Sequence, residues 1–418
     1  MFLGFCKKCD YDYNGGMKQV YLDNASITPT DKRVLGVMKK YYGAEYGNPS
    51  SIHSVGVKAK IVVEEARKKC AHFLRAHADE IIFTASGTEA NVLAIEGTVR
   101  KLFESGRAYD DMHIITSRVE HQSILEPVAY LARLGVQVDY VGVDQMGLFD
   151  LVDLKNKLRP ETVLVSLMMV NNEIGAIQPI REIAKVIRRF CTHDSGPTTF
   201  ESGILNPKPI LHTDASQAPL YLELDTNILG VDMITLDGHK VYGPKGIGML
   251  YIKRGEELAP IISGGGQESG LRSGTENVPA IAGLAVAFEI AEKERGKESA
   301  RLTILRELAI SNIISEIPGA VLNGDKIHRL SNNINISIPN IDAEFLVLQL
   351  DARGISCSTK SSCLKDESES YVIRELGGEH WRAKNSIRLS IGRKTTKSDV
   401  EYVVKELVKA VRKQNIKK

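Results

Sequence analysis

Short apolar runs alternate with amphipathic segments over more than half of the chain, from Val20 to about Leu258. Helical patterns separate the runs and lie at residues 58–74, 124–134 and 180–189. Strands that alternate with helices in this way predict an α/β fold, with a mostly parallel sheet and helices on both of its faces. The predicted strands are Ile81–Thr84, His113–Thr116, Val136–Tyr140, Val163–Met168, Pro209–Thr213 and Met249–Ile252.

An Ala-rich helical pattern from Asn277 to about Lys297 marks the end of this region. The strand patterns at 333–338 and 386–390 that follow it predict a small α+β domain. A length of 418 residues suits two such domains. We therefore predict an N-terminal extension (1–19), a large ligand-binding domain (20–275) whose first residues contribute to the small domain, and a small C-terminal domain (276–418).

Composition argues against several classes of protein. No stretch of the chain approaches the roughly 18 apolar residues of a membrane span. The charges nearly balance, with 54 basic and 52 acidic residues, so a general nucleic-acid-binding surface is not indicated. The first residues become polar too soon for a secretory signal. We expect an enzyme in the cytoplasm that has no direct contact with nucleic acid or membrane.

The six cysteines are scattered, at positions 6, 9, 70, 191, 357 and 363, and do not resemble a secreted disulfide framework. Cys6 and Cys9 form a single CxxC pair with no second pair at zinc spacing, so no metal site is expected. The segment 192–208 is rich in Gly, Pro, Ser and Thr, which predicts a surface loop.

Polar residues follow the predicted strands, where open α/β sheets bind their ligands. The small-residue turn Thr84–Asn91 runs into an apolar helix. Its backbone N–H groups would suit an anion such as a phosphate, or Ser86 or Thr88 would simply cap the helix. His121 follows the next strand and would stack on a flat ring, shuttle a proton, or serve only the structure.

Asp214 and Lys240 follow two further strands. An aspartate at a strand end needs a partner, either within the protein or a protonated pyridine nitrogen such as that of pyridoxal phosphate. Lys240 ends an apolar run and precedes the glycine-rich turn Val241–Gly248. There its amine would lose a proton and attack a carbonyl to give a Schiff base, although lysines at strand ends are usually solvated.

The chain also carries nine short motifs in a fixed order: Tyr21-Leu22-Asp23-Asn24-Ala25, Gly47-Asn48-Pro49-Ser50-Ser51, Glu120-His121, Val170-Asn171-Asn172-Glu173-Ile174-Gly175, Gly238-His239-Lys240, Gly243-Pro244-Lys245-Gly246, Gly264-Gly265-Gly266-Gln267-Glu268, Arg272-Ser273-Gly274-Thr275-Glu276-Asn277 and Ser386-Ile387-Arg388-Leu389-Ser390. In this order they resemble the cysteine desulfurases of the NifS/IscS type, which are pyridoxal-phosphate enzymes of the class V aminotransferase family. The resemblance extends from about Val20 to Arg412. It implies the fold of the pyridoxal-phosphate transferases of fold type I, with the cofactor in the large domain.

The resemblance implies a role for each residue around the cofactor. Lys240 would bind pyridoxal phosphate as a Schiff base and later act as acid and base. His121 would stack on the ring and move protons, and Asp214 would pair with the pyridine nitrogen. Asn172 and Gln217 would bind the ring oxygen.

Further residues would hold the phosphate and the substrate. Gly87, Thr88 and His239 would bind the phosphate of their own chain. Thr275 would reach the phosphate of a neighbouring subunit, which implies a homodimer. The carboxylate of the substrate, L-cysteine, would be clamped by Arg388 together with Asn48, and a planar guanidinium suits that task.

A second nucleophile in the family is a cysteine on a mobile loop, here in the small domain, for which Cys357 and Cys363 are the candidates. Cys363 ends a Ser-rich stretch ahead of Tyr371, as in the family, and is preferred. The implied catalytic residues are therefore Lys240, Cys363 and His121. Cys363 would take the sulfur of L-cysteine as a persulfide and release L-alanine. The sulfur would then pass to an acceptor protein in iron–sulfur cluster assembly or tRNA thiolation.

Three features depart from the family pattern. Asp237 stands where the family has Ser or another small residue, and its carboxylate would repel a phosphate unless it turns away or takes a proton. The loop at 192–208 is longer than usual, and the segment between Cys363 and Tyr371 is about one residue shorter. Two alternatives remain: another class V enzyme, such as a small-molecule aminotransferase or selenocysteine lyase, and a scaffold without chemistry.

Overall fold

A computed structural model describes residues 18–193, 208–360 and 369–415 of the chain. Most of the N-terminal extension with Cys6 and Cys9, most of the predicted surface loop, and Cys363 lie outside the described residues. Among those that are described, no helix is both long and apolar enough to cross a membrane.

Seven strands form the central sheet, in the order β2-β8-β7-β6-β5-β3-β4. The strands of the described residues are β1 (Val20–Tyr21), β2 (Ile81–Thr84), β3 (His113–Ser117), β4 (Gln137–Val141), β5 (Thr162–Ser166), β6 (Ile210–Asp214), β7 (Met233–Asp237), β8 (Gly248–Ile252), β9 (Val321–Leu322), β10 (Asn333–Ser337), β11 (Ile355–Ser356) and β12 (Ser386–Ser390). The prediction of a mostly parallel α/β sheet is confirmed. Only β8 runs antiparallel to its neighbours in this sheet, because the short link from β7 leaves no room for a crossover helix.

The predicted helices are also confirmed, with longer bounds. Within the described residues the α-helices are α1 (Lys32–Tyr42), α2 (Ser54–Leu74), α3 (Gly87–Glu104), α4 (Gln122–Arg133), α5 (Leu151–Lys157), α6 (Ile180–His193), α7 (Thr226–Leu229), α8 (Val278–Glu316), α9 (Ala343–Asp351), α10 (Tyr371–Glu375), α11 (Trp381–Lys384) and α12 (Lys397–Asn415). The Ala-rich helix α8 is 39 residues long and continues well past its predicted end near Lys297.

Three apolar cores hold these elements together. Alternate residues of β3 point to opposite faces of the sheet, so that Ile115 belongs to one core and Ile114 to another. A third core lies around β10 and β12. The helix α8 contributes Phe288 to the first core and Ile310 to the third. The division of the chain at residue 275 stays a prediction.

The N-terminal strand β1 lies with the C-terminal part of the fold. It pairs in parallel with β11, so that Val20 faces Ile355. Asp23 forms a bridge with Ser390 at the end of β12. This pairing brings the segment that follows β1 to the carboxyl edge of the central sheet.

The carboxyl ends of β2, β3, β5, β6 and β7 all lie at one edge of the central sheet, because these five strands run in the same direction. At this edge the chain leaves the sheet into the segments that carry the polar residues singled out above. The topology therefore places a candidate site where open α/β sheets bind ligands.

Candidate active site

A cavity of about 180 Å³ opens at this edge. The structure brings nine of the predicted site residues to its walls: Gly87, Thr88, His121, Asn172, Asp214, Gln217, His239, Lys240 and Arg388. Asn48 and Thr275 do not line it, and Cys363 lies outside the described residues.

Lys240 ends a single 3-10 turn, Gly238–Lys240, directly after β7. Its Nζ donates to the carbonyl oxygens of Ala25 at 2.8 Å and Ser26 at 2.7 Å. The turn requires glycine at 238, since a Cβ there would lie 2.7 Å from the carbonyl oxygen of Pro244. Gln217 Nε2 also donates to the carbonyl of Ala25, at 2.9 Å, so this one carbonyl holds both side chains.

His121 caps the N-terminus of α4. Its Nδ1 accepts from the backbone N–H of Ser123 at 3.2 Å and lies 2.8 Å from Ser123 Oγ. Because a backbone N–H can only donate, the neutral ring carries its proton on Nε2. Burial lowers the pKa of His121, which favours this neutral form near pH 7.

Asn91 connects Asp214 to this histidine. Its Nδ2 lies 2.8 Å from Asp214 Oδ2 and 2.8 Å from Ser123 Oγ. The other oxygen of Asp214 accepts from the backbone N–H of Ser216 at 2.9 Å. Neither Asn91 nor Ser123 was predicted as a site residue. The positions of both residues could have indicated their role. Asn91 lies one helical turn after Gly87 and therefore on the same face of α3, and Ser123 lies in the first turn of α4, after His121.

Arg388 is only 1% exposed and has an incomplete set of partners. Nη2 forms an ion pair with Asp23 Oδ1 at 2.9 Å, and Nη1 donates to the carbonyl of Asn172 at 3.0 Å. Nε has no partner among the described residues, and neither does Oδ1 of Asn172. Buried polar atoms without partners are costly, so these two indicate a polar ligand in the cavity.

The carboxylate of Asp237 lines the cavity at the N-terminus of α3. Oδ2 accepts from the backbone N–H of Gly87 at 2.8 Å, while Oδ1 lies 2.5 Å from His239 Nδ1. Burial by itself would raise the pKa of Asp237, but the hydrogen bonds from His239 and Gly87 outweigh it and lower that pKa. Asp237 therefore neither turns away from this end of the cavity nor takes a proton.

Asn48 and Thr275 are both exposed on the surface of the chain. Asn48 Oδ1 accepts from the backbone N–H of Ser50 at 2.9 Å. Thr275 lines a separate groove beside Phe83 and Asn277. In a single chain these residues contribute nothing to the cavity.

Of the two candidate nucleophiles, Cys357 is described. Burial raises the pKa of its thiol to about 12, and the charges of Asp23 and Asp351 add to that rise. A thiol with such a pKa is protonated at neutral pH and is a poor nucleophile. The environment of Cys357 is therefore that of a structural cysteine.

The segment that follows Cys363 is fixed where it rejoins the fold. Ser370 Oγ donates to the buried carboxylate of Glu173 at 2.5 Å. Tyr371 Oη donates to the carbonyl of Glu120 at 2.6 Å. Glu120 and Glu173 directly adjoin His121 and Asn172, so residues 370 and 371 are attached to the cavity wall.

Ser370→Ala is expected to lower the free energy of unfolding by about 1–3 kcal/mol, because it removes a hydrogen bond to a buried carboxylate and the N-cap of α10. Urea denaturation measures the change. Ser315→Ala, which removes an exposed hydroxyl, serves as control and should cost less than about 0.5 kcal/mol. Equal losses in the two variants would contradict the importance of this attachment.

Comparisons with known proteins agree with the geometry of the cavity. The family model for aminotransferase class V matches residues 20–194 and 200–403. The curated protein named cysteine desulfurase IscS of Dictyoglomus turgidum is 41% identical over 397 residues, which cover 95% of either chain.

Solved structures agree as well. One described as a NifS-like protein has a TM-score of 0.85 at 34% identity and covers 94% of this chain and 100% of its own. Another, SspA in complex with cysteine, has a TM-score of 0.74 at 34% identity and covers 89% of this chain and 98% of its own. The fold expected from the motifs, that of the pyridoxal-phosphate transferases, is confirmed. Sequence, cavity and neighbours together show that the chain belongs to the aminotransferase class-V family.

Proposed function

We propose that the protein is an L-cysteine desulfurase. It would take sulfur from L-cysteine, release L-alanine, and hold the sulfur as a persulfide on Cys363. The observation that carries the proposal is the cavity in which Lys240, His121, Asp214 and Arg388 meet. The similarity to proteins named cysteine desulfurase, and to a neighbour solved with cysteine, supports it. The proposed acceptor belongs to iron–sulfur cluster assembly or tRNA thiolation, and the proposed compartment is the cytoplasm.

The cofactor of this family is pyridoxal phosphate, and the cavity residues fit it. Asp214, fixed by Asn91 and Ser216, offers a carboxylate to a pyridine nitrogen. Oδ1 of Asn172 is buried and has no partner among the described residues, so this side chain can form a polar contact with the ring. A rotation of the amide by 180° would present its nitrogen in place of its oxygen. When bound, the cofactor supplies an electron sink for bonds at the α-carbon of the amino acid.

Lys240 would anchor the cofactor and transfer a proton. Its amine must leave at least one of the two carbonyls that hold it, those of Ala25 and Ser26, before it can react. His121 would lie against the ring and hold a proton on Nε2, because Ser123 keeps Nδ1 as an acceptor. Asn91 positions both Asp214 and Ser123, so a single amide aligns the two ends of this network.

Arg388 would bind the α-carboxylate of the substrate with the N–H groups that Asp23 and Asn172 leave unused. Arg388→Lys is expected to raise KM for L-cysteine about 100-fold, because an ammonium cannot form the bidentate contact. Steady-state kinetics measures the change. Arg254→Lys, at an exposed ion pair with Asp79, should stay within about twofold of the wild type. An unchanged KM in Arg388→Lys would contradict the assignment.

Cys363 is the proposed sulfur acceptor within the chain. Its thiolate would attack the sulfur of the substrate, so that an S–S bond forms as the C–S bond of the substrate breaks. The half-buried thiol of Cys357 is unsuited to this step, since its pKa is raised to about 12. In the proposed mechanism Cys363 would carry the sulfur from the cavity to another protein.

We further propose a homodimer. Three large side chains from the end of α1 to the start of α2 are exposed: Tyr42 by 66%, Tyr46 by 75% and Ile52 by 98%. Such a cluster is typical of an interface with another copy. Asn48 lies within the same segment, and both Asn48 and Thr275 are exposed. Residues that reach the cavity of a neighbouring subunit have to be exposed in the single chain.

Ile52→Asp is expected to convert the dimer to monomers at micromolar concentration, because it buries an unpaired charge in the interface. Sedimentation velocity measures the mass. Ile327→Asp, at a site that is 82% exposed but far along the chain, should leave the mass unchanged. A monomeric wild type would contradict the homodimer.

The test of the proposed function is product analysis. Purified protein with pyridoxal phosphate, L-cysteine and a thiol reductant is expected to release alanine and sulfide in equal amounts. Transfer of the amino group to a 2-oxo acid, without sulfide, would instead identify an aminotransferase. Failure to bind pyridoxal phosphate at all would favour a scaffold.

A further inference from the structure

We propose that Asp237 is an internal anion that competes with the phosphate of the cofactor for its binding site. This inference depends on the proposed function and on the phosphate contacts that the resemblance implies for Gly87, Thr88 and His239. An aspartate carboxylate already occupies the donors at this end of the cavity.

The contacts of Asp237 are those that a bound anion would make. Gly87 provides the first N–H of α3, an 18-residue helix whose N-terminus attracts negative charge. That N–H donates to Asp237 Oδ2 at 2.8 Å. The backbone N–H of His239 donates to Oδ1 at 3.1 Å, and its ring Nδ1 lies 2.5 Å from the same oxygen. Of the three residues proposed to hold the phosphate, Gly87 and His239 already donate hydrogen bonds to Asp237.

The surrounding backbone fixes the carboxylate in this place. Asp237 ends β7, where its backbone pairs with Gly248 of β8. A Cβ at Gly87 would lie 2.9 Å from Asp237 Oδ2, and a Cβ at Gly248 would lie 2.6 Å from the carbonyl oxygen of Ser86. The helix end, the strand end and the carboxylate are therefore packed against one another, and only glycine allows the approach.

Two consequences follow for the cofactor. A phosphate that enters must share or displace the contacts of an ionised carboxylate, and two like charges a few ångströms apart repel each other. Pyridoxal, which has the same ring and aldehyde but no phosphate, does not meet this repulsion. The preference of this chain for the phosphorylated form should accordingly be smaller than it would be with an uncharged residue at 237.

The experiment compares the two forms of the cofactor on apo-protein. Binding of pyridoxal phosphate and of pyridoxal is measured by calorimetry for the wild type, Asp237→Ser and Asp237→Asn. We expect the affinity for pyridoxal phosphate to rise at least about tenfold in both variants, while that for pyridoxal stays within about twofold. Inorganic phosphate should also compete better with pyridoxal phosphate in the variants. Asp225→Ser, which replaces an aspartate at the N-cap of α7 outside the cavity, should change neither affinity.

Other outcomes overturn the inference. An unchanged ratio of the two affinities would show that the carboxylate does not oppose the phosphate. Weaker binding of pyridoxal phosphate in Asp237→Asn would show that the carboxylate assists it, through His239. Either result leaves the proposed desulfurase function intact if sulfide is still released. Asp237→Asn keeps the shape of the side chain, so it provides the answer if Asp237→Ser does not fold.

Discussion

Replacing Lys240 with alanine is expected to abolish cysteine desulfuration, with a loss in kcat of about 10³-fold or more. The protein should also lose the yellow colour that comes from covalent attachment of the cofactor. The reason is that no other lysine of the described residues lines the cavity, so no second amine can take its place. Absorption spectra and sulfide release measure the two effects.

Lys245→Ala is the matched control for Lys240. Lys245 follows Lys240 by five residues and lies in the glycine-rich turn Val241–Gly248, but it is exposed and lines a different cavity. Its replacement should leave both colour and turnover within about twofold of the wild type. Turnover that survives in Lys240→Ala would contradict the role of this amine and, with it, the proposed chemistry.

Cys363→Ser is expected to lower sulfide release from L-cysteine by about 100-fold or more, while the colour of the bound cofactor is kept. A serine hydroxyl is not ionised at neutral pH and cannot accept sulfur as a persulfide does. Mass spectrometry of the wild type should find one additional sulfur atom on the peptide that contains Cys363. No such mass should appear in the variant.

Cys357→Ala separates the two candidate cysteines. Because the Cys357 thiol is half-buried and its pKa is raised to about 12, its replacement should leave turnover close to that of the wild type. Loss of turnover in Cys357→Ala alone would reverse the assignment. Full turnover in Cys363→Ser would favour another enzyme of the class V family, such as an aminotransferase, which needs no cysteine to accept sulfur.

Much of the fold could be predicted because each strand leaves a local signal. The apolar run of β5 predicted a strand from its composition alone. The polar residues at the ends of β6 and β7 predicted the edge of the sheet at which Asp214 and Lys240 line the cavity. The direction of β8 left no such signal, because a buried strand has the same composition in either direction. Its short link to β7 is what determines the antiparallel pairing.

Contacts between distant elements were harder to predict. Asn91 and Ser123 lie on different helices, and only the packing of α3 beside α4 brings the amide to the hydroxyl. Asn48 and Thr275 do not line the cavity of their own chain, and we propose that they reach the cavity of a second copy, which a single sequence does not display. The carboxylate of Asp237 was noticed as a departure from the family, but its contacts with Gly87 and His239 appear only in three dimensions.

The continuous helix α8 has a consequence for any attempt to divide this protein. Its first half packs against α1 and α2, where Phe288 stacks on Phe73, and its second half contributes Ile310 to the core around β10 and β12. A fragment that ends at residue 275 would leave the apolar faces of α1 and α2 open to water and prone to aggregate. Because a single helix is shared between two cores, we also expect the two cores to unfold together on heating.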